Sequence, residues 1–322
     1  MKLFRDGWKL ADAEEEAIEA RLDAQRPETS PGEIREEKGL ADRYVELVCE
    51  RFGAPLDGLR IGVDCANGAM FEAAPRALSR LGAHVVTIGN RPDGTNINVG
   101  CGATDLAAVA QLAREESLDL GVAFDGDGDR MLAVDADGEA LDGDQILAVL
   151  ALHLGVDLVA VTRMTNLGFH RLMAERGVRV VTTDVGDRYV LEALRREGGV
   201  LGGEQSGHVL YLDGHTSGDG LVAAILLCRA LVDAGGALSD MATIMSKYPQ
   251  ARADVPVRNL TIPEEVWREV EKLNEELGES GRVLVRPSGT EPVVRVLAEA
   301  ETGRIAGNLC ARIVALVERE LG

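Results

Sequence analysis

The sequence of 322 residues predicts an α/β protein: two tandem βαβ domains, at residues 53–147 and 148–249, followed by a small C-terminal α+β domain over 250–322. Three observations predict it. A strand, an Asn-containing turn, a helix, a glycine and a second strand occur in that order twice. The strands are continuous apolar runs, as expected where helices cover both faces of a parallel sheet. Beyond Tyr248 the composition shifts, and segments read as strand, helix, strand, strand and helix follow.

Residues 1–52 come first. Ala11 to Ala24, ADAEEEAIEARLDA, reads as an acidic amphipathic helix, RPETSPGE as a linker, and Gly39 to Phe52 as a second helix. In the first βαβ domain RIGVDCANGA is a strand entering an Asn-Gly turn, MFEAAPRALSRLG a helix and AHVVTIG a strand. A third strand, LDLGVAFD, ends on Asp125. Ligands collect at the carboxyl ends of strands in open parallel sheets, and Asp125 to Asp129 lie there. The second domain repeats the order with DLVAVTRMTNLG, FHRLMAERG and VRVVTTDVGD. The last domain reads as strand ARADVPVRNL, helix IPEEVWREVEKLNEELG, strands GRVLVRPSG and PVVRVLAEA, and helix RIAGNLCARIVALVEREL, with a mostly antiparallel sheet.

Apolar residues make up 46% and charged residues 27% of the chain, a balance that folds. The net charge of -20 argues against nucleic acid or an anionic membrane as the main partner. Five cysteines, scattered and without a C-x-x-C pair, suggest reduced thiols and no zinc site. No apolar run reaches the roughly 18 residues that a spanning helix needs. The expected location is the cytoplasm.

Three loops carry chemistry. In FDGDGDR, Asp125, Asp127 and Asp129 sit at alternate positions with glycines between them. Carboxylates this close repel unless a cation compensates, and their hard oxygens select Mg²⁺, Ca²⁺ or Mn²⁺. An EF-hand counted from Asp125 requires glycine at position six and glutamate at twelve, where Arg130 and Ala136 stand. Mg²⁺ in an open site fits better, and a solvated acidic turn is the plain alternative. In LGGEQSGHVL an extended backbone would point Glu204, Ser206 and His208 the same way, a row suited to sugar hydroxyls. An ordinary polar turn before a strand fits the same letters. In RPSGTEP, followed by Arg295, the amides of a Ser-Gly-Thr turn can form an anion nest completed by Arg286; a proline-primed β-turn is the alternative. Asp187 and Arg188, in VGDRY, are the weakest signal and also fit a helix-start ion pair. His84, His153 and His170 read as packing residues, and His215 as a loop residue facing a cleft. There is no Walker A loop, no G-x-G-x-x-G after a strand and no G-x-S-x-G elbow.

Taken in this order, and together with VDCANGA, PDGTNIN, VGDRY and HTSGDG, these loops resemble the α-D-phosphohexomutase superfamily across residues 39–322. Gln205 inside GEQSGH resembles the branch that acts on glucosamine phosphates; methionine tends to stand there in mannose and glucose mutases, which are the alternative. The resemblance implies phosphohexomutase-type βαβ domains within a four-domain enzyme. That enzyme interconverts glucosamine 6-phosphate and glucosamine 1-phosphate for UDP-N-acetylglucosamine synthesis, through a bisphosphate intermediate and a phosphoserine. Mg²⁺ would be held by Asp125, Asp127, Asp129 and the serine phosphate. Arg130 and His208 would be catalytic. Glu204, Ser206, Asp187 and Arg188 would bind the sugar, and Arg286, Ser288, Gly289, Thr290 and Arg295 the non-reacting phosphate. The expected partner is the phosphosugar, without nucleic acid or membrane, and a homodimer is compatible with it.

In the superfamily the nucleophile stands in a Ser-His-Asn-Pro context shortly before a segment like GIKFF. The opening MKLFRDGWKLADAEEEAIEA resembles the continuation of that segment, so residues 1–52 read as a remnant of the first domain plus a linker helix. No serine here precedes His-Asn, including Ser30 of the linker. The expectation is that these 322 residues alone bind Mg²⁺ and sugar phosphate without turnover.

Overall fold

The computed structural model describes residues 3–10, 12–22, 33, 37–288 and 291–322. They divide into two units, one holding the described residues up to 165 with 173–245, the other 166–172 with 246–322. Gly289 and Thr290 lie outside the described residues, as does the linker at 26–32 with Ser30.

In the first unit a two-residue hairpin, β1 (Phe4–Arg5) and β2 (Trp8–Lys9), leads to α1 (Asp12–Leu22) and α2 (Leu40–Phe52). The helix α2 buries Val45, Val48, Cys49 and Phe52, one stripe at helical spacing. Next come β3 (Arg60–Asp64), α3 (Ala73–Arg80), β4 (His84–Ile88), α4 (Ala107–Glu115), β5 (Leu120–Phe124), β6 (Met131–Asp135) and β7 (Ala140–Leu141). Their sheet has the order β4-β3-β5-β6-β7. The three strands read from apolar runs are its parallel part, with β3 between β4 and β5; β6 and β7 then return antiparallel. All five residues of β5 are buried, so its C-terminal end is held firmly where the acidic loop begins.

The chain continues through α5 (Gly143–Leu154), β8 (Leu158–Thr162), α6 (Leu167–Glu175), β9 (Arg179–Thr183), α7 (Asp187–Glu197), β10 (Leu201–Gly203), β11 (Val209–Tyr211), α8 (Gly220–Ala234) and α9 (Leu238–Ala242). The second sheet has the order β11-β10-β8-β9, with β8 parallel to both neighbours and β11 antiparallel to β10. Both long apolar helices start at aspartate caps: Asp142 forms a capping box with Gln145 on α5, and Asp219 accepts from the Leu221 and Val222 N–H groups on α8.

The second unit has a three-stranded antiparallel sheet, β12 (Gln250–Pro256), β13 (Gly281–Pro287) and β14 (Val293–Ala300), with β14 central. The helices α10 (Glu264–Leu277) and α11 (Gly303–Leu321) pack on it through Val266, Val270, Leu273, Cys310, Ile313 and Val317. Every described cysteine is a buried free thiol. Among the described residues no helix is long and apolar enough to cross a membrane.

Candidate functional site

The acidic loop leaves β5 as a tight turn closed on itself. Gly128 N–H donates to the Asp125 carbonyl, and Asp125 N–H to the Arg130 carbonyl. The Asp125 side chain, almost fully buried, is the organiser: Oδ1 accepts from the Gly128 and Arg130 amides at 3.1 Å each, and Oδ2 accepts from Arg130 Nε at 2.6 Å. Asp127 is exposed and Asp129 half-buried. One oxygen from each of the three aspartates lies within 4.8 Å of the others. Hard oxygen donors at this spacing fit a cation such as Mg²⁺, which keeps coordination positions for water or phosphate oxygens.

GEQSGH is not an extended row. Glu204 N–H donates to the His208 carbonyl and Gly207 N–H to the Glu204 carbonyl, so the segment is the turn of a hairpin between β10 and β11. The expectation that Glu204, Ser206 and His208 alternate along one face is therefore corrected. Glycines supply the reason, since Gly207 at φ +90° permits a three-residue loop that a strand could not make. Ser206 stands exposed at the apex, while His208 is 5% exposed.

The hairpin nonetheless meets the acidic loop. Arg130 and His208 form an antiparallel bridge, and Met131 N–H donates to the Gly207 carbonyl at 3.0 Å. His208 Nδ1 lies 3.6 Å from Asp129 Oδ2, and Nε2 lies 3.8 Å from Asp187 Oδ2 at the first turn of α7. Glu204 Oε1 accepts from the Gly186 N–H just before that helix, and burial pushes its carboxyl above the usual range, partly offset by His208. Thus Asp125, Asp127, Asp129, Arg130, Asp187, Glu204 and His208 are brought together around one surface.

Other expected residues are placed differently. Arg188 Nε donates to Glu192 one turn along α7. The cation on Asp187 is Lys9 of β2, 3.3 Å from Oδ2, a partner nothing in the local sequence signals. Gln205 Nε2 donates to Asp142 Oδ2 at 3.4 Å, and its carbonyl accepts from Gly143 at the start of α5. His215 Nε2 bonds to Asp219 Oδ2 at 3.0 Å. His84 is exposed at the start of β4, which corrects its reading as a packing residue.

In the second unit Arg286 and Ser288 stand on a hairpin between β13 and β14. Ser288, buried, donates its N–H to the Val293 carbonyl. Arg286 and Arg295 are direct cross-strand partners. Like charges opposite one another destabilise a strand pair unless anions intervene. Arg295 meets Glu291 at 2.8 Å and Asp254 at 3.8 Å.

Known proteins share this organisation. The phosphoglucomutase/phosphomannomutase family models match in series: alpha/beta/alpha domain II over residues 40–138, alpha/beta/alpha domain III over 142–248 and the C-terminal domain over 244–316. A phosphoglucosamine mutase of Frankia alni is 47% identical over 98% of this chain and 72% of its own length. One from Bacillus subtilis is 41% identical over 98% of this chain and 74% of its own length. Among solved structures, a phosphoglucomutase/phosphomannomutase family protein from Burkholderia thailandensis matches with TM-score 0.76 and 22% identity, covering 97% of this chain and 71% of its own. An Aspergillus fumigatus N-acetylphosphoglucosamine mutase, solved with GlcNAc-6P and magnesium, matches with TM-score 0.70 and 19% identity, covering 85% and 68%.

Proposed function

The chain belongs to the phosphoglucosamine mutases of the phosphoglucomutase/phosphomannomutase family, and we propose that its residues bind glucosamine phosphates and Mg²⁺ for phosphoryl transfer between the 6- and 1-positions. The observation that carries the reading is the junction of the acidic loop with the GEQSGH hairpin, where His208 stands between Asp129 and Asp187.

In this reading Asp125, Asp127 and Asp129 hold Mg²⁺, which when bound offsets the charge of the transferring phosphoryl group. Arg130 meets the transferring phosphoryl group. Its guanidinium is fixed by Asp125 at 2.6 Å, so it is already oriented when a phosphoryl oxygen arrives to share it. Glu204, anchored through the Gly186 amide, offers its remaining oxygen to a sugar hydroxyl or ammonium group. Ser206, at the exposed apex, adds a second polar contact. His208 takes the proton of the attacking hydroxyl and returns it to the leaving oxygen, with Asp187 Oδ2 as the negative charge 3.8 Å from its Nε2. Arg286, Ser288, Gly289, Thr290 and Arg295 hold the non-reacting phosphate.

The test supplies the Ser-His-Asn-Pro context that this sequence does not contain. A phosphohexomutase first domain that carries this context is joined before Met1 and the fusion primed with glucose 1,6-bisphosphate. Conversion of glucosamine 6-phosphate is expected to exceed that of glucose and mannose 6-phosphates in kcat/KM. Equal or reversed preference in an active fusion overturns the glucosamine assignment.

A further inference from the structure

Behind the acidic loop lies a polar knot that the proposed function does not use. Asp219 is 8% exposed, and donors converge on both of its oxygens. Oδ1 accepts from Leu221 N–H at 2.9 Å, Val222 N–H at 3.2 Å and the Tyr44 hydroxyl at 3.0 Å; Oδ2 accepts from Tyr44 at 2.8 Å and His215 Nε2 at 3.0 Å. Tyr44 comes from α2, whereas His215 precedes α8 by one loop. The phenol is pushed well above its usual range, by burial first and then by the Asp219 charge, so it serves here as a hydroxyl donor.

The neighbours of Asp219 reach both halves of the candidate site. On one side, Gly220 N–H donates to the Gly128 carbonyl of the acidic loop at 3.0 Å. On the other, Gly218 lies flat against the His208 ring: a Cβ there would stand 2.1 Å from His208 Nε2. Asp219 N–H itself donates to the Val209 carbonyl, next to His208. Three consecutive residues thus touch the loop carbonyl, the hairpin backbone and the imidazole, and the central one is clamped by side chains from two other segments.

We propose that Asp219, fixed by Tyr44 and His215, is a positioning residue that holds the acidic loop and the His208 imidazole in register, so that cation affinity at Asp125, Asp127 and Asp129 depends on a carboxylate whose own oxygens are engaged elsewhere. The proposal rests on the metal-loop reading above. Its physical basis is that second-layer hydrogen bonds fix the geometry of metal ligands, and their loss typically weakens binding by about 10- to 100-fold. Asp219→Asn preserves shape but removes the charge that gathers these donors: on the Oδ1 side its NH₂ faces the Leu221 and Val222 N–H groups, and on the Oδ2 side it keeps Tyr44 and His215 only through a turned hydroxyl and the other imidazole tautomer. The clamp on the segment from Gly218 to Gly220 is then weakened.

Mn²⁺ titration of the 322-residue chain, read by electron paramagnetic resonance, tests it. Asp219→Asn is expected to raise the Mn²⁺ dissociation constant by about 10-fold or more, and Tyr44→Phe by about 3-fold. The control is Thr302→Ala, which removes a side-chain cap of the same kind from α11. It is expected to lower the unfolding midpoint without moving Mn²⁺ affinity, so a general loss of stability is separated from a positioning effect. Tight binding by the parent with unchanged affinity in a folded Asp219→Asn overturns the positioning role alone. If Asp219→Asn does not fold, unchanged affinity in Tyr44→Phe overturns it by the same criterion. No Mn²⁺ binding by the parent overturns the metal-loop reading and this inference together.

Discussion

His208 Nδ1 stands 3.6 Å from Asp129 Oδ2, across the antiparallel bridge that ties His208 to Arg130. That contact joins the hairpin turn to the acidic loop and leaves Nε2 toward Asp187. His208→Gln keeps a polar side chain of similar reach without a group that takes up a proton. In the fused enzyme it is expected to lower kcat by about 100-fold or more, while KM changes by less than about 3-fold. Equal losses in both parameters would assign His208 to binding.

Glu204→Gln retains an oxygen that accepts from Gly186 N–H, so the hairpin is expected to stay in place. What it loses is charge. Calorimetric titration with glucosamine 6-phosphate is expected to show about 10-fold weaker binding, the magnitude of one charged hydrogen bond. Unchanged affinity would remove Glu204 from the sugar contacts.

Asp64, fully buried at the end of β3, accepts from the Ala66 and Gly102 amides, tying two loops beside the acidic turn. In Asp64→Asn one acceptor becomes a donor facing an N–H group. A destabilisation of about 1–3 kcal/mol is expected by urea denaturation, and a value near zero would show that the loops hold without it.

His170 on α6 predicts a pH effect in the second unit. Burial, helped by Arg282, lowers its imidazole from 6.5 to about 4. The unfolded chain therefore takes up this proton below about pH 6.5, whereas the folded chain does not until about pH 4. Stability from this group is complete above the unfolded value and falls as pH drops through that window, by at most about 2 kcal/mol at pH 5. Urea midpoints at pH 7.5 and 5.0 are expected to differ less in His170→Leu than in the parent. Equal differences would place the acid sensitivity elsewhere.

Much of the fold was legible because β3, β4, β5, β8 and β9 are apolar runs of strand length between turn residues. The helix α8 was not, since GLVAAILLCRALVDA is buried on nearly all sides and carries no polar face to reveal a period. The carboxylates of the acidic loop were legible from spacing alone. The backbone of GEQSGH was not: alternation of Glu204, Ser206 and His208 suggested an extended row, and the left-handed Gly207 made it a turn. Contacts between distant segments, such as Lys9 with Asp187 and Tyr44 with Asp219, leave no local pattern at either residue.

The most direct measurement is calorimetric titration of Mg²⁺ into the chain, its Asp127→Asn variant and a control, Asp137→Asn, which alters another exposed acidic turn. Asp127 is the exposed member of the triad, so its replacement is expected to leave the fold intact while removing one ligand. The expected result is one site per chain, with affinity reduced by about 10-fold or more in Asp127→Asn and unchanged in Asp137→Asn. Absence of Mg²⁺ binding, or equal affinity in Asp127→Asn and the parent, would contradict the account.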